Sequence, residues 1–272
     1  MDREWQLVEQ APVSPALRQA VGGHPLVARL LAQRGFCDPE RATKYLDAAR
    51  YTPASPDEFP DMETTTRLVR EAIASDRRIR IWGDFDADGQ TATTVLYEAL
   101  TALGAQVDYQ LPRRREGHGF HRRAIDDALR DYVSLLITCD TGIGDIGVVA
   151  EGVRAGLTVI ITDHHDTPSP LPPAHAIINP KMLPLGHPLH ELAGVGVAYV
   201  VARALLDGET QAPLLEEMLD IVAVGLVADV AMQVQDVRYL VQRGLTVLHH
   251  TRRPGLRALI KAAGLDLRYV DE

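Results

Sequence analysis

The sequence predicts an α/β protein built on a doubly wound, mainly parallel sheet flanked by helices, with an N-terminal helical segment and a C-terminal helical extension. Three observations carry that expectation. From Arg78 onward, short apolar runs alternate with stretches of helical spacing, the rhythm of βαβ units. Residues 133–138 (VSLLIT) form a nearly continuous apolar run, as in a strand buried on both faces. Acidic or imidazole clusters follow three of the predicted strands directly, and in such sheets chemistry gathers beyond the carboxyl ends of the strands.

In order along the chain, residues 1–60 read as short helices and loops. Residues 25–34 (PLVARLLAQR) have helical apolar spacing, Gly35 stops them, and Asp38-Pro39-Glu40 starts another helix with proline early in its first turn. Residues 53–60 are turn-rich, and a helix over 65–75 leads into a strand at 79–82 (IRIW). Val95, Leu96, Ala99, Leu100 and Leu103 mark the next helix, and Asp84, Asp86, Asp88 and Gly89 occupy the turn before it. A second strand is expected at 106–111, a helix at 122–130, and a strand at 133–138 ending at Cys139-Asp140-Thr141-Gly142. A helix over 145–155 and a strand over 157–162 follow, the latter ending at Asp163-His164-His165, with a last short strand at 176–179. Beyond a proline-rich turn, Gly194-Val195-Gly196-Val197-Ala198 opens an apolar helix reaching about residue 206. Further helices are expected at 213–224, running into Gly225-Leu226-Val227-Ala228-Asp229, and at 237–249, before a basic, helix-prone tail. The expected divisions are a helical segment over 1–64, a catalytic core over 65–207 and a helical extension over 208–272.

Composition bounds the function. With 272 residues, 46% hydrophobic and 24% charged, the chain has the make-up of an ordinary globular protein with ample core. No segment approaches the roughly 20 apolar residues of a membrane span. The opening MDREWQLVEQ lacks the apolar centre of a secretory leader, and two cysteines give no disulfide framework, so the cytoplasm is the expected compartment. A net charge of −9 argues against coating nucleic acid by bulk electrostatics. The bunched Arg113-Arg114-Arg115, Arg122-Arg123 and Arg252-Arg253 read either as solvated faces or as a local anion-binding groove.

Three carboxylates within five residues repel one another and call for cations or protons. A single D-x-D turn also reads as a solvated acidic loop, and Asp-His-His as a polar strand end satisfying nearby backbone. Arriving at the ends of three strands of one sheet, the clusters converge on one rim. Aspartates with one or two imidazoles and no thiolate suit hard divalent ions, Mn²⁺ or Mg²⁺. Two such ions can activate water and stabilise an in-line displacement at phosphorus. Alternation along the strand turns Cys139 away from the rim and into the core. His24, His175, His187, His190, His249 and His250 read as surface or structural residues.

The motifs Asp84-Phe85-Asp86-Ala87-Asp88-Gly89, Asp140, Asp163-His164-His165 and Gly225 to Asp229 resemble, in order and spacing, those of the DHH phosphoesterase superfamily. Within it the chain is most similar to the RecJ family of single-strand-specific 5′→3′ DNA exonucleases. That likeness extends to Leu171-Pro172-Pro173, Ile178-Asn179-Pro180-Lys181, Glu191-Leu192-Ala193-Gly194-Val195-Gly196-Val197-Ala198 and Val227-Ala228-Asp229-Val230.

The resemblance implies phosphodiester hydrolysis, with Asp86, Asp88, Asp140, His164 and Asp229 as metal ligands and Asp140 as the bridge. It makes Asp84 a ligand or its support, Asp163 an orienting carboxylate and His165 a contact to the scissile phosphate. Single-stranded DNA, and replication or repair proteins, are the implied partners, with Arg113, Arg114, Arg115 and His118 gripping substrate. Small phosphodiesterases of short oligonucleotides or cyclic dinucleotides, and non-catalytic scaffolds, are the alternatives within the superfamily. Two departures stand out. Trp82 occupies the place where compact members carry a ligand histidine. The DHHA1-type and OB-fold domains of the RecJ pattern have no counterpart in these 272 residues.

Overall fold

The computed structural model describes residues 11–206, 208 and 211–271. The opening decapeptide, read above for a leader, and Asp207, where one domain boundary was expected, lie outside them. The chain divides into two units, Met1–Thr52 and Pro53–Glu272. In the smaller unit, α1 (Pro15–Ala20), α2 (Pro25–Gln33) and α3 (Pro39–Leu46) each begin with proline. Their first turns donate an amide to the capping side chains of Ser14, His24 and Asp38 respectively. Leu17, Ala28, Leu31, Ala32 and Ala42 form their shared core.

The larger unit opens with α4 (Met62–Ala74), β1 (Ile79–Trp82), α5 (Ala87–Ala102) and β2 (Val107–Gln110). It continues through α6 (Arg122–Arg130), β3 (Leu135–Cys139), α7 (Ile146–Arg154), β4 (Thr158–Thr162) and β5 (Ala176–Ile178). The strands pair in the order β2-β1-β3-β4-β5, every ladder parallel. This is the doubly wound arrangement expected from the sequence. Because the connections leave β1 in opposite directions, the strand order reverses between β1 and β3, where such sheets open a crevice.

Alternation sorts the strand residues into two cores. Ile79, Ile81, Leu135, Ile137, Cys139, Ile160 and Ile178 face one side, with the apolar stripes of α4 and α5. Leu136, Val159, Ile161 and Ile177 face the other, against Ala124, Ile125 and Ala128 of α6 and Val149 of α7. Arg80 interrupts the apolar pattern, yet it is only 4% exposed. Its guanidinium grips Asp108 of the neighbouring strand through two bonds of 2.6 and 2.7 Å, and reaches Asp131 at 2.9 Å. A buried cation so paired is tolerable within the sheet.

Past β5 the chain is helical: α8 (Gly194–Leu205), α9 (Ala212–Ala228), α10 (Gln235–Leu248) and α11 (Pro254–Ala262). Nearly every residue of α8 is buried, as befits a helix apolar on all sides and packed on α5, α9 and the sheet. The expected break in α9 at Gly225 does not occur. The helix continues to Ala228 and ends where Val230 enters the left-handed region at φ 59°, with the Ala231 amide donating to Leu226 O at 3.1 Å. Asp229 therefore caps a helix rather than sitting in a loop. Among the described residues, no helix is long and apolar enough to cross a membrane.

The α9–α10 contact is backbone against backbone. A Cβ at Gly244 would lie 2.3 Å from Leu219 O and 2.5 Å from Ala223 Cβ. Alanine gains about 1 kcal/mol of helix propensity over glycine, but forced overpacking costs roughly 1–3 kcal/mol. Because the clash is with backbone, the upper end of that cost applies, and Gly244→Ala is expected to lower the unfolding free energy by a net of up to about 2 kcal/mol and with it the denaturation midpoint. An unchanged or raised midpoint in urea would show that the two helices pack more loosely than described.

Candidate metal centre

Each acidic cluster sits where a strand hands over to a loop or helix. After β1, Asp86 is the N-cap of α5, accepting the Gly89 amide at 2.9 Å, and Asp88 lies in the first helical turn. After β3, Asp140 adopts a left-handed backbone, φ 60°, a conformation that aspartate tolerates better than most residues. After β4, Asp163 organises the next turn. Its Oδ1 accepts the amides of His164 and His165 at 2.7 and 3.2 Å and the His165 Nδ1 at 2.7 Å; its Oδ2 accepts the Ile143 amide at 2.9 Å. With Nδ1 so engaged, His165 keeps Nε2 free.

These side chains converge as the sequence implied. Asp84, Asp86 and Asp140 form one group, Asp88, His164 and Asp229 a second, and Asp140, His164 and His165 a third. Within each group one donor atom per residue lies within 4.8 Å of the others. Asp140 belongs to two of the groups, which suits a carboxylate shared between two ions. His165, expected at the phosphate, also comes within ligand distance. Asp163 stays behind the rim, holding His165.

Electrostatics shows what the cluster lacks. Burial, and then the Asp140 charge, push the Asp88 carboxyl well above its usual range. Burial beside Asp86 and Asp163 pushes Asp140 up to about 8, and burial also raises Asp229. Burial pushes Asp163 up as well, but the bonds from His165 and Ile143 outweigh it and hold the carboxyl below the ordinary value. Asp84 Oδ1 and Asp140 Oδ1 are buried with no hydrogen-bond partner. His164 Nε2 stands 3.0 Å from the Asp140 oxygen, but out of line for a hydrogen bond. Such orphaned oxygens are satisfied by a cation, and the donor set, carboxylates with imidazole and no thiolate, fits a hard divalent ion. Cys139 lies wholly in the core, where burial pushes its thiol up.

Backbone groups invisible to motif reading complete the site. Gly194 and Val195, the first residues of α8, donate their amides to the two Asp88 oxygens at 2.7 and 2.8 Å. Ala193 supplies no side-chain cap, so Asp88 of α5 caps α8 across space. Gly194 is required there: a Cβ would stand 2.6 Å from Asp140 Cβ. Only the glycine-led opening of that helix hinted at this.

Of the predicted substrate residues, His118 reaches the rim. Its Nδ1 lies 2.9 Å from Asp84 Oδ2, a bond that raises the imidazole to about 9 against the effect of burial, and its ring centroid lies 4.8 Å from that of His165. Arg114 stacks over Phe85 at 4.8 Å from the ring centroid, between the Asp84 and Asp86 carboxylates in sequence. Arg113 and Arg115 are exposed, and no contact of their side chains with the cluster is seen. Trp82 is fully buried and donates to Gly119 O at 3.1 Å, anchoring the loop that carries His118. The six histidines read as structural have local partners: His24 and His175 accept backbone amides, His187 meets Glu58, His190 meets Glu191, and His249 and His250 meet carbonyls.

Known proteins resemble this chain in sequence and fold. The model of the DHH family, N-terminal domain, matches residues 78–226. The single-stranded-DNA-specific exonuclease RecJ of Bacillus subtilis is 40% identical over 249 residues, covering 91% of this chain and 31% of the relative. RecJ of Haemophilus influenzae is 37% identical, over 90% of this chain and 44% of its own. The chain thus spans less than half the length of these relatives. The structure of RecJ with Mn²⁺ from Thermus thermophilus superposes with a TM-score of 0.78 at 29% identity, over 95% of this chain and 37% of that one. A manganese-bound RecJ structure matches with a TM-score of 0.70 at 34% identity, over 78% and 54%.

The buried charges set a pH dependence. Asp88, Asp140 and Asp229 hold protons more tightly folded than unfolded, so their ionisation costs stability as pH rises above the ordinary carboxylate range, for Asp140 through about 8. His118 acts in the same sense: its contribution is complete below about pH 6.5 and lost on rising through about 9. In chelator, the melting temperature is expected to fall by more than about 3 °C between about pH 5 and about pH 9. Mn²⁺ should reduce that fall by supplying counter-charge. A melting temperature that rises with pH in chelator would contradict the account.

Proposed function

We propose, from the premise that this chain belongs to the DHH family, that it is a metal-dependent phosphodiesterase acting as a RecJ-like exonuclease on single-stranded DNA from the 5′ end. The observation that carries this reading is the pair of donor groups, Asp84/Asp86/Asp140 and Asp88/His164/Asp229, linked by the third group, in which Asp140 of the one stands beside His164 of the other. One structural ion needs fewer ligands than the two groups offer. Asp86, Asp88, Asp140, His164 and Asp229 would hold two ions, Mn²⁺ or Mg²⁺, with Asp84 completing the first group. When bound, the ions supply charge neutralisation at phosphorus and acidify water for in-line attack.

The chain's own residues do the rest. Asp163 fixes the His165 ring through Nδ1, and Asp84 holds His118 beside it. The two imidazoles offer donors to the non-bridging oxygens of the phosphate. Arg114, steadied on Phe85, is the guanidinium proposed to grip a neighbouring phosphate of the strand. The core carrying this work is proposed as residues 65–207, with Asp229 contributed by the segment 208–272.

Asp140→Ala and Asp86→Ala are expected to reduce Mn²⁺-dependent hydrolysis of labelled single strands to background while preserving the circular dichroism spectrum. A time course on 5′- and 3′-labelled oligonucleotides should release label first from the 5′ end and stop with chelator. Full activity in either variant would refute the assignment, and release from the 3′ end would refute the polarity.

A further inference from the structure

The chemistry above makes no use of the Asn179-Pro180-Lys181 turn, which lies just past β5. Asn179 is completely buried. Its Nδ2 donates to His165 O at 3.0 Å while its Oδ1 accepts the Lys181 amide at 2.8 Å, an orientation that follows from the hydrogen-bond network. The loop after β4 is otherwise anchored at its start, where the Asp163 amide donates to Ile178 O at 3.1 Å. Beyond Asp163, the Asn179 bond is what fixes the His165 backbone to the neighbouring strand end.

The same turn reaches the other half of the centre. Lys181 Nζ lies 3.3 Å from His190 O and 3.7 Å from Glu191 Oε2, and His190 Nδ1 meets Glu191 Oε1 at 2.9 Å. Three residues after Glu191, α8 begins and its first amides grip Asp88. A side chain that donates and accepts at once is needed at the junction: aspartate cannot donate, and alanine or leucine can do neither.

We infer that Asn179 is a positioning residue for His165, tying the imidazole-bearing loop to the turn that leads to the Asp88 clamp. The inference rests on the proposed phosphodiesterase reading. Asn179→Ala is expected to lower kcat on single-stranded DNA about 10–100-fold, as loss of a supporting partner typically does, with KM within about twofold. In a His165→Ala background the same change should add less than about twofold, because the two residues act as one. Asn179→Asp keeps the size and the Lys181 bond but loses the donor, and should repeat both results if the alanine variant does not fold. If the His165→Ala background has no measurable rate, the ¹⁵N resonances of the His165 ring in the Asn179→Asp variant decide, shifted if the inference holds.

Wild-type rates in the Asn179 variants, losses that multiply in the double variant, or unmoved ring resonances would overturn the inference alone. A wild-type chain that cleaves no phosphodiester with Mn²⁺ would overturn the phosphodiesterase reading instead, and the inference with it.

Discussion

Like-charge repulsion at one rim is the constraint around which this protein is built. Asp84, Asp86 and Asp140 bring carboxylate oxygens within 4.8 Å of one another, and Asp88 and Asp229 do the same around His164; Asp84, Asp88 and Asp140 are each only 2% exposed. Water cannot screen charges held that deep. The chain answers in part with its own dipoles: the α8 amides on Asp88, the α5 cap on Asp86, and four bonds converging on Asp163. What remains unbalanced, above all the orphaned oxygens of Asp84 and Asp140, is the part a pair of cations would neutralise.

Topology makes the crowding unavoidable. The order β2-β1-β3-β4-β5 sets the ends of β1, β3 and β4 side by side, so loops distant in sequence open on one crevice. The helices past β5 close it from above. Asp88 links the two parts, since it caps α8 while standing among the donors, and α9 ends at Asp229. The apolar packing of α8 against α5 and α9 thereby fixes the distances between charged groups that would otherwise drive it apart. The left-handed backbone of Asp140 is a second sign that folding stability is spent to aim a carboxylate.

Much of this was legible in the sequence, and the reasons are physical. Alternation marked β1, which matched its expected bounds, and the continuous apolar run of a strand buried on both faces marked β3, which was displaced only slightly. The carboxylates and imidazoles announced themselves because a globular core gives them no other place to cluster. Other features left weaker traces. Gly225 read as a helix end, because a lone glycine signals a break whereas close helix contact, which it also permits, leaves no mark in local sequence. The amides of Gly194 and Val195, the Ile143 amide and the Asn179 fork act through groups or pairings that residue type does not encode. Arg113 to Arg115 looked alike as a basic run, but only the fold distinguishes Arg114, on the Phe85 ring, from its neighbours.

The central claim is that distant side chains meet to hold two ions across Asp140. Anomalous diffraction from crystals grown with Mn²⁺ tests it most directly. The account predicts two peaks about 4 Å apart, one against Asp84 and Asp86, the other against Asp88, His164 and Asp229, with Asp140 touching both. A single peak, or peaks away from these carboxylates, would contradict it.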